Sequence, residues 1–342
     1  MNSKEQFEQM QKEYINVFNS NWEALMSELF FQQIQFASGN RLRPYIVLVG
    51  YLASKPDLNL NSIEYDKISK LSLCIEIIHK SSLILDDLIV GDPARHGEKT
   101  FHIEFGVENT MMFAINLLSI SVKKMNQFID ENQGCVILKE KGINLLAQTM
   151  YDMSLGELKE LNLLEEKFYE NILIKDIIHL ETSPLIANSL LFGYYAGNGN
   201  NRDIEQLLQT IGYECGYIFQ VMNDLEPFCQ QEKLKLHKGR LNTDITHSKK
   251  NIALASLYNL ISYKEKEQIQ SSNSEEKTNE LLIHYFQQYK IKDSFMREVE
   301  LTHQNINKQI ELLKENGLST ACCKLFHYFI NKIINECKER LI

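Results

Sequence analysis

Residues 76–102, EIIHKSSLILDDLIVGDPARHGEKTFH, place two adjacent aspartates, Asp86 and Asp87, at the close of a long apolar helical run. A Gly-Asp-Pro turn follows, and then a cationic segment holding Arg95, His96 and Lys99. Carboxylates at the mouth of an apolar helix, one loop away from cations, suit a ligand that is oily at one end and phosphorylated at the other. Mg²⁺ takes oxygen ligands and binds through one or two carboxylates plus phosphate oxygens, so it would bridge the two. Arg95 and Lys99 would neutralise the remaining charge.

The elements that must carry these residues read as helices almost throughout. Leu71, Ile75, Ile78, Ser82 and Leu85 follow i, i+3, i+4 spacing. The stretches 71–85 and 211–222 are apolar on most of their circumference, as central helices of a large bundle are. Pro227 falls one turn after Asn223 and Asp224, and is expected to kink or end its helix. Residues 270–277 read as a helix–helix loop. With 342 residues, only 5 Pro and no Ser/Gly-rich linker, the chain reads as one domain over residues 1–342. A net charge of −9 gives no basic face for nucleic acid. No apolar run approaches the ~20 residues that span a bilayer. The 7 cysteines show no paired spacing and no signal peptide precedes them, so reduced thiols and a cytoplasmic location are expected.

Four stretches, in order, resemble one family, the trans-isoprenyl diphosphate synthases. Residues 39–44, GNRLRP, are similar to its GGKRxRP segment, and residues 76–102 to its first aspartate-rich motif with the trailing RRGKPT. Residues 219–224, FQVMND, resemble its second motif, FQxxDD. Residues 244–249, DITHSK, resemble its downstream D…GK segment. Weaker echoes are Gly156-Glu157 at a family Gly-Gln and Glu181-Thr182 at a family Lys-Thr. The resemblance implies an all-α, isoprenoid-synthase-type helical bundle around a central cavity. It implies a Mg²⁺-dependent prenyltransferase that ionises an allylic prenyl diphosphate and passes the prenyl group to an acceptor. It places Asp86, Asp87, Asn223 and Asp224 at the metal, with Asp86, Asp87 and Asp224 as the catalytic acids. It places Arg43, Arg95, His96, Lys249 and Gln220 at the substrates. It also implies a homodimer, or a heterodimer with a homologue.

The sequence departs from the family at telling positions. The fifth residue of the first motif is Val90, with Asp92 nearby as a substitute. In the second motif Asn223 replaces an aspartate and Pro227 another, while Asp224 is kept and Glu226 lies close. Three cations of the acceptor side stand here as Asn40, Arg43 and His96, and the allylic side keeps Arg95 and Lys249 but has Glu181 for lysine. The family's tail shaft passes the residues four and five before the first aspartate. Here these are Ser82 and Ser81, small enough to leave the shaft open for a C15 or C20 tail. Ile78 and Ile77, with Met112 and Phe113, would form the next barrier, unless Phe101 or Phe105 closes the shaft first. His79 reads as a hydrogen-bonded structural histidine rather than a base. Asp224 has a structural reading too, as a polar contact retained from the motif. Three functions fit. The first is a prenyltransferase using isopentenyl diphosphate or a non-standard second acceptor, as in the peptide-pheromone isoprenyltransferases of this family. The second is a terpene-synthase-like lyase or cyclase acting on one prenyl diphosphate. The third is a non-catalytic partner subunit of an active homologue.

Overall fold

The computed structural model describes residues 3–29, 39, 41–55, 60, 63–95, 97–163, 168–229, 250–339 and 341. Asn40, His96, Lys249 and residues 244–248 lie outside them. The described chain is helical: α1 (Ser3–Glu28), α2 (Leu42–Ala53), α3 (Tyr65–Val90), α4 (Phe101–Phe105), α5 (Val107–Glu131), α6 (Val136–Asn162), α7 (Asn171–Glu181), α8 (Ser183–Ala196) and α9 (Arg202–Cys229). After residues 230–249 come α10 (Ile252–Leu260), α11 (Tyr263–Gln270), α12 (Glu275–Gln288), α13 (Ile291–Glu315) and α14 (Thr320–Glu339). The helix–helix loop read at 270–277 is the shorter connection between α11 and α12. No described helix is long and apolar enough to cross a membrane.

The centre of the bundle is α8, whose fourteen residues, Ser183 to Ala196, are all buried. It is flanked by α2, buried from Pro44 to Ala53, and by α9. Glycines set how close these three helices lie. A Cβ on Gly50 would stand 2.0 Å from the Leu190 carbonyl oxygen, and one on Gly193 1.9 Å from that of Val47. On the other side, a Cβ on Gly212 would stand 2.3 Å from Ala187 Cα, and one on Gly216 2.5 Å from Ser183 Cα. Backbone therefore packs on backbone, and the neighbours beyond are drawn in around the cavity.

Buried serines tie α3 to its partners. Ser81 donates to the Ala114 carbonyl at 2.9 Å and Ser121 to that of Cys74 at 2.8 Å, joining α3 to α5. Tyr14 and Ser72 share a 2.6 Å hydrogen bond that joins α1 to α3. Helix α3 continues one turn past the aspartates and stops at Gly91, whose φ of 71° is the left-handed conformation of a C-terminal cap. A two-stranded hairpin follows, with β1 (Ala94–Arg95) antiparallel to β2 (Glu98–Lys99). The sequence pattern did not indicate it, because two-residue strands carry no readable alternation.

Two local expectations bear on this packing. Of the two outcomes read for Pro227, the ending does not occur, since α9 runs on to Cys229. The missing proline N–H leaves the Asn223 carbonyl without its usual helical donor. Met112 is not a shaft barrier, being 63% exposed on α5. Phe113 stacks on Phe101 at 4.9 Å, in a small cluster with Phe18, Trp22, Ile77 and Ile84.

The glycine contacts give the first test. Gly193→Ala should destabilise the protein by about 1–3 kcal/mol or more, because the added carbon meets the α2 backbone at Val47 and Tyr51. Gly134→Ala, where a Cβ meets nothing within 4 Å, should change stability by less than about 0.5 kcal/mol. Urea unfolding of both variants checks this, and equal midpoints would contradict the packing described.

Candidate active site

A cavity of about 1220 Å³ opens between α3, α6, α7 and α9. Asp86, Asp92, Arg95, Asn223, Asp224 and Glu226 are among its walls, as are Arg43, His79, Lys80, Ser81, Ser82 and Gln220. Apolar side chains such as Ile78, Leu118, Met153, Ile177 and Leu185 lie between these polar groups. Phe101, Phe105 and Phe113 are not among its described walls.

At the end of α3 the hairpin delivers Arg95 to the aspartates. Its Nε donates to Asp87 Oδ1 and Oδ2 at 2.8 and 2.9 Å, and its Nη2 reaches Asp86 Oδ2 at 3.0 Å. Burial works against the guanidinium charge, but Asp87, Asp86 and Asp92 outweigh it and hold Arg95 protonated. Burial pushes the Asp87 carboxyl up, partly offset by Arg95. Asp87 is thus a clamped carboxylate behind the wall, and Asp86 the more accessible one. Asp92 is buried beside them, its N–H donating to the Asp87 carbonyl, and it lines the cavity.

On α9 the i, i+4 pair Gln220 and Asp224 shares a face. Thr182 donates to Gln220 Oε1 at 2.9 Å, and Gln220 Nε2 donates to Asp224 Oδ1 at 2.7 Å. Asp224 Oδ2 accepts the Ile252 N–H at 2.8 Å, and its carbonyl accepts from Asn251 Nδ2 at 2.8 Å. Asn251 in turn caps α10 by accepting from Ala253 and Leu254 N–H. Both Asp224 oxygens take protein donors, so this carboxylate fixes the start of α10 against α9.

A second carboxylate group was only half visible in the sequence. Glu157 and Glu160 on α6 and Glu181 on α7 bring their oxygens within 4.8 Å of one another. Gly156 permits this approach, since a Cβ there would stand 2.5 Å from Glu181 Cγ. Glu160, 5% exposed, accepts the Lys250 N–H at 2.6 Å. Glu157 and Glu181 stood at family Gln and Lys positions, but Glu160 was missed. Its signal was the i, i+3 spacing from Glu157, which sets both on one face.

Further along α3 lies a cationic group. Arg41 sits against the Phe18 and Trp22 rings and pairs with Glu76 at 2.9 Å. Arg43 Nη1 donates to His79 Nε2 at 2.9 Å, so His79 is a neutral acceptor with its proton on Nδ1. Burial, then Arg43, Lys80, Arg95 and Arg41, hold the imidazole well below its ordinary 6.5. His79 is hydrogen-bonded, as read, and it also faces the cavity. Burial pulls Arg43 down to about 10, which leaves it charged at neutral pH. Ser81 is fully buried with its hydroxyl on α5, while Ser82, half-buried, donates to the His79 carbonyl at 2.8 Å. Lys80, which was not singled out in the sequence, and Lys250 also line the cavity.

This arrangement, an all-α bundle around a cavity with acidic and cationic groups on an apolar wall, defines an isoprenoid-synthase-type fold. A profile of the polyprenyl synthetase family matches residues 25–289, and the chain belongs to that family. It is 26% identical over 292 residues to the heptaprenyl diphosphate synthase component 2 of Bacillus subtilis, covering 84% of this chain and 76% of that one. It is 24% identical over 222 residues to the short chain isoprenyl diphosphate synthase of Methanocaldococcus jannaschii, covering 65% of this chain and 63% of that protein's length. The heptaprenyl diphosphate synthase structure from Staphylococcus aureus superposes with a TM-score of 0.79 at 18% identity, covering 95% and 98% of the two chains. The polyprenyl synthase from Caulobacter crescentus, complexed with calcium and isoprenyl diphosphate, gives 0.73 at 17%, covering 96% and 94%. These two share the fold.

The two retained aspartates should separate in a metal-free measurement. Asp224→Ala leaves the buried Ile252 N–H without its acceptor and should lower stability by about 1–3 kcal/mol. Asp86→Ala, which leaves Arg95 on Asp87, should cost less than about 1 kcal/mol. Thermal unfolding in EDTA distinguishes them; equal shifts would contradict the structural part given to Asp224.

Proposed function

We propose that this protein is a Mg²⁺-dependent prenyltransferase that uses an allylic prenyl diphosphate. The observation that carries the reading is one cavity combining the Asp86–Arg95 group with an apolar wall leading away from it. The allylic diphosphate would lie at the carboxylate and Arg95 end, and its tail along the apolar wall. The donor set is oxygen from carboxylates, with the amide of Asn223 as a neutral addition, and this suits Mg²⁺. Asp86, Asn223 and the Glu157, Glu160 and Glu181 group would hold it. Bound there, Mg²⁺ would neutralise the departing diphosphate. Arg95, fixed by Asp87, adds a preorganised positive charge at the same oxygens. The apolar wall keeps water from the allylic cation until an acceptor attacks. Ser82, small and half-buried on the cavity wall, would leave room for a C15 or C20 tail as far as Ile78.

Incubation of the purified chain with Mg²⁺ and C10, C15 or C20 allylic diphosphates, with and without isopentenyl diphosphate, tests this. Diphosphate release should occur and fall by about 10²-fold or more in Asp86→Ala. Ser82→Phe should shift the preference toward shorter tails. No release from any substrate, alone or with candidate acceptors, would overturn the reading. It would favour the second one, a partner subunit. That reading is supported by the likeness to a protein named as component 2 and by the engagement of Asp87 and Asp224 with protein donors. Stimulation of an active homologue on mixing would be its positive sign.

We also propose that a second copy or a homologue covers the outer face of α5. Met111, Met112 and Ile115 are 43%, 63% and 55% exposed there, and Tyr151 and Leu158 of α6 are 59% and 57% exposed. Apolar groups grouped in this way mark association surfaces. Sedimentation equilibrium should give a dimer, alone or with the homologue, and Ile115→Asp should dissociate it. An unchanged mass in that variant would rule out this face.

A further inference from the structure

Residues 250–254 open α10, and the backbone N–H of each donates to a side chain. Lys250 donates to Glu160 Oε1 of α6 at 2.6 Å, and Asn251 to the Tyr169 hydroxyl at 3.1 Å. Ile252 donates to Asp224 Oδ2 of α9 at 2.8 Å, and Ala253 and Leu254 to Asn251 Oδ1 at 2.8 and 3.1 Å. A helix start usually leaves such groups to one cap and to water. Here residues 250–252 bridge α6 to α9, and Tyr169 holds the middle of the bridge. Glu160, Lys250, Asn251 and Asp224 line the cavity, whereas Tyr169 is not among its described walls. Tyr169 is 7% exposed; its ring meets Tyr258 edge-on at 5.7 Å and carries the Lys250 ammonium 4.7 Å from its centroid. The hydroxyl is thus delivered by a ring that is itself fixed. Burial pushes the phenol well above its ordinary 10, so it keeps its proton at neutral pH. It donates that proton to the Asn251 carbonyl at 3.4 Å while accepting from the N–H.

We propose that Tyr169 is a positioning residue for the carboxylate end of the cavity. It touches no substrate itself. By fixing the Asn251 backbone it sets the bridge, and the bridge sets how far Glu160 on α6 stands from Asp224 on α9. Asn223, next to Asp224, and Glu157 and Glu181, beside Glu160, are thereby held at one separation across the cavity. Mg²⁺ tolerates little departure from octahedral geometry, so oxygens from different helices serve it only at a fixed spacing. Groups that orient such oxygens from behind govern affinity without touching the ion. The inference rests on the reading that this end of the cavity takes Mg²⁺ and a diphosphate.

Tyr169→Phe removes the hydroxyl and keeps the ring. The test is calorimetric titration of the full chain with inorganic diphosphate in the presence of Mg²⁺. Tyr169→Phe should bind about tenfold more weakly, at unchanged stoichiometry. Ser121→Ala removes a buried hydrogen bond between α5 and α3, away from the described cavity walls. It should bind as wild type even where its melting temperature falls. Hydrogen exchange of the metal-free protein should quicken at residues 250–252 in Tyr169→Phe and not in Ser121→Ala. In turnover assays Tyr169→Phe should need about tenfold more Mg²⁺ for half-maximal rate, and high Mg²⁺ should restore it, as it would not restore unfolded protein. Wild-type affinity in Tyr169→Phe, an equal loss in Ser121→Ala, or unaltered exchange at residues 250–252 would each overturn the proposal and leave the Mg²⁺ reading standing. No diphosphate binding by wild type would sink that reading, and the part given to Tyr169 with it.

Discussion

Charges held inside an apolar bundle must be neutralised where they stand, and the cavity of this protein is arranged around that constraint. A buried ion without a partner loses several kcal/mol of hydration, on the order of the whole stability of a domain. Arg95 meets the constraint at the end of α3 by gripping Asp87 with Nε and Nη2 while touching Asp86. Without the hairpin that carries Arg95, two adjacent aspartates at a helix C-terminus would repel each other and the helix dipole. Arg41, Glu76 and the Phe18 and Trp22 rings answer the same need further along the helix.

The two ends of the cavity are balanced differently. Near Asp86 and the glutamates of α6 and α7, negative charge is in excess and suits a cation. Around Arg43, His79 and Lys80, cations line the wall instead. His79 contributes by being neutral: it accepts from Arg43 and adds no charge of its own. A bundle can keep such ends apart only if its helices do not slide, and the glycine contacts of α8 with α2 and α9 supply that rigidity. Their interlock is backbone against backbone, which leaves little room for repacking.

Divergence from the family pattern looks different once packing is known. Asp224, the aspartate kept in a degraded motif, has a structural part: its oxygens accept from Gln220 and from the first turn of α10. Glu181, read as a reversed charge at an anion site, meets Glu157 and Glu160 in a carboxylate group of its own.

Much of this was legible in the chain itself. Period-3.6 spacing and the four ordered motifs were enough for the helical bundle and the family, because helix periodicity and motif order are one-dimensional properties. Pairing in space is not. That Asp87 turns to Arg95, that Asp224 binds an N–H twenty-eight residues away, and that Tyr169 reaches the Asn251 backbone depend on loop paths and helix rotations. The exposure of Met112 was misjudged for the same reason: spacing shows which residues share a face, but only packed neighbours decide whether that face looks inward. The hairpin behind Arg95 and the approach of α7 to Gly156 were decided likewise, by contacts between segments whose own sequences carry no sign of one another.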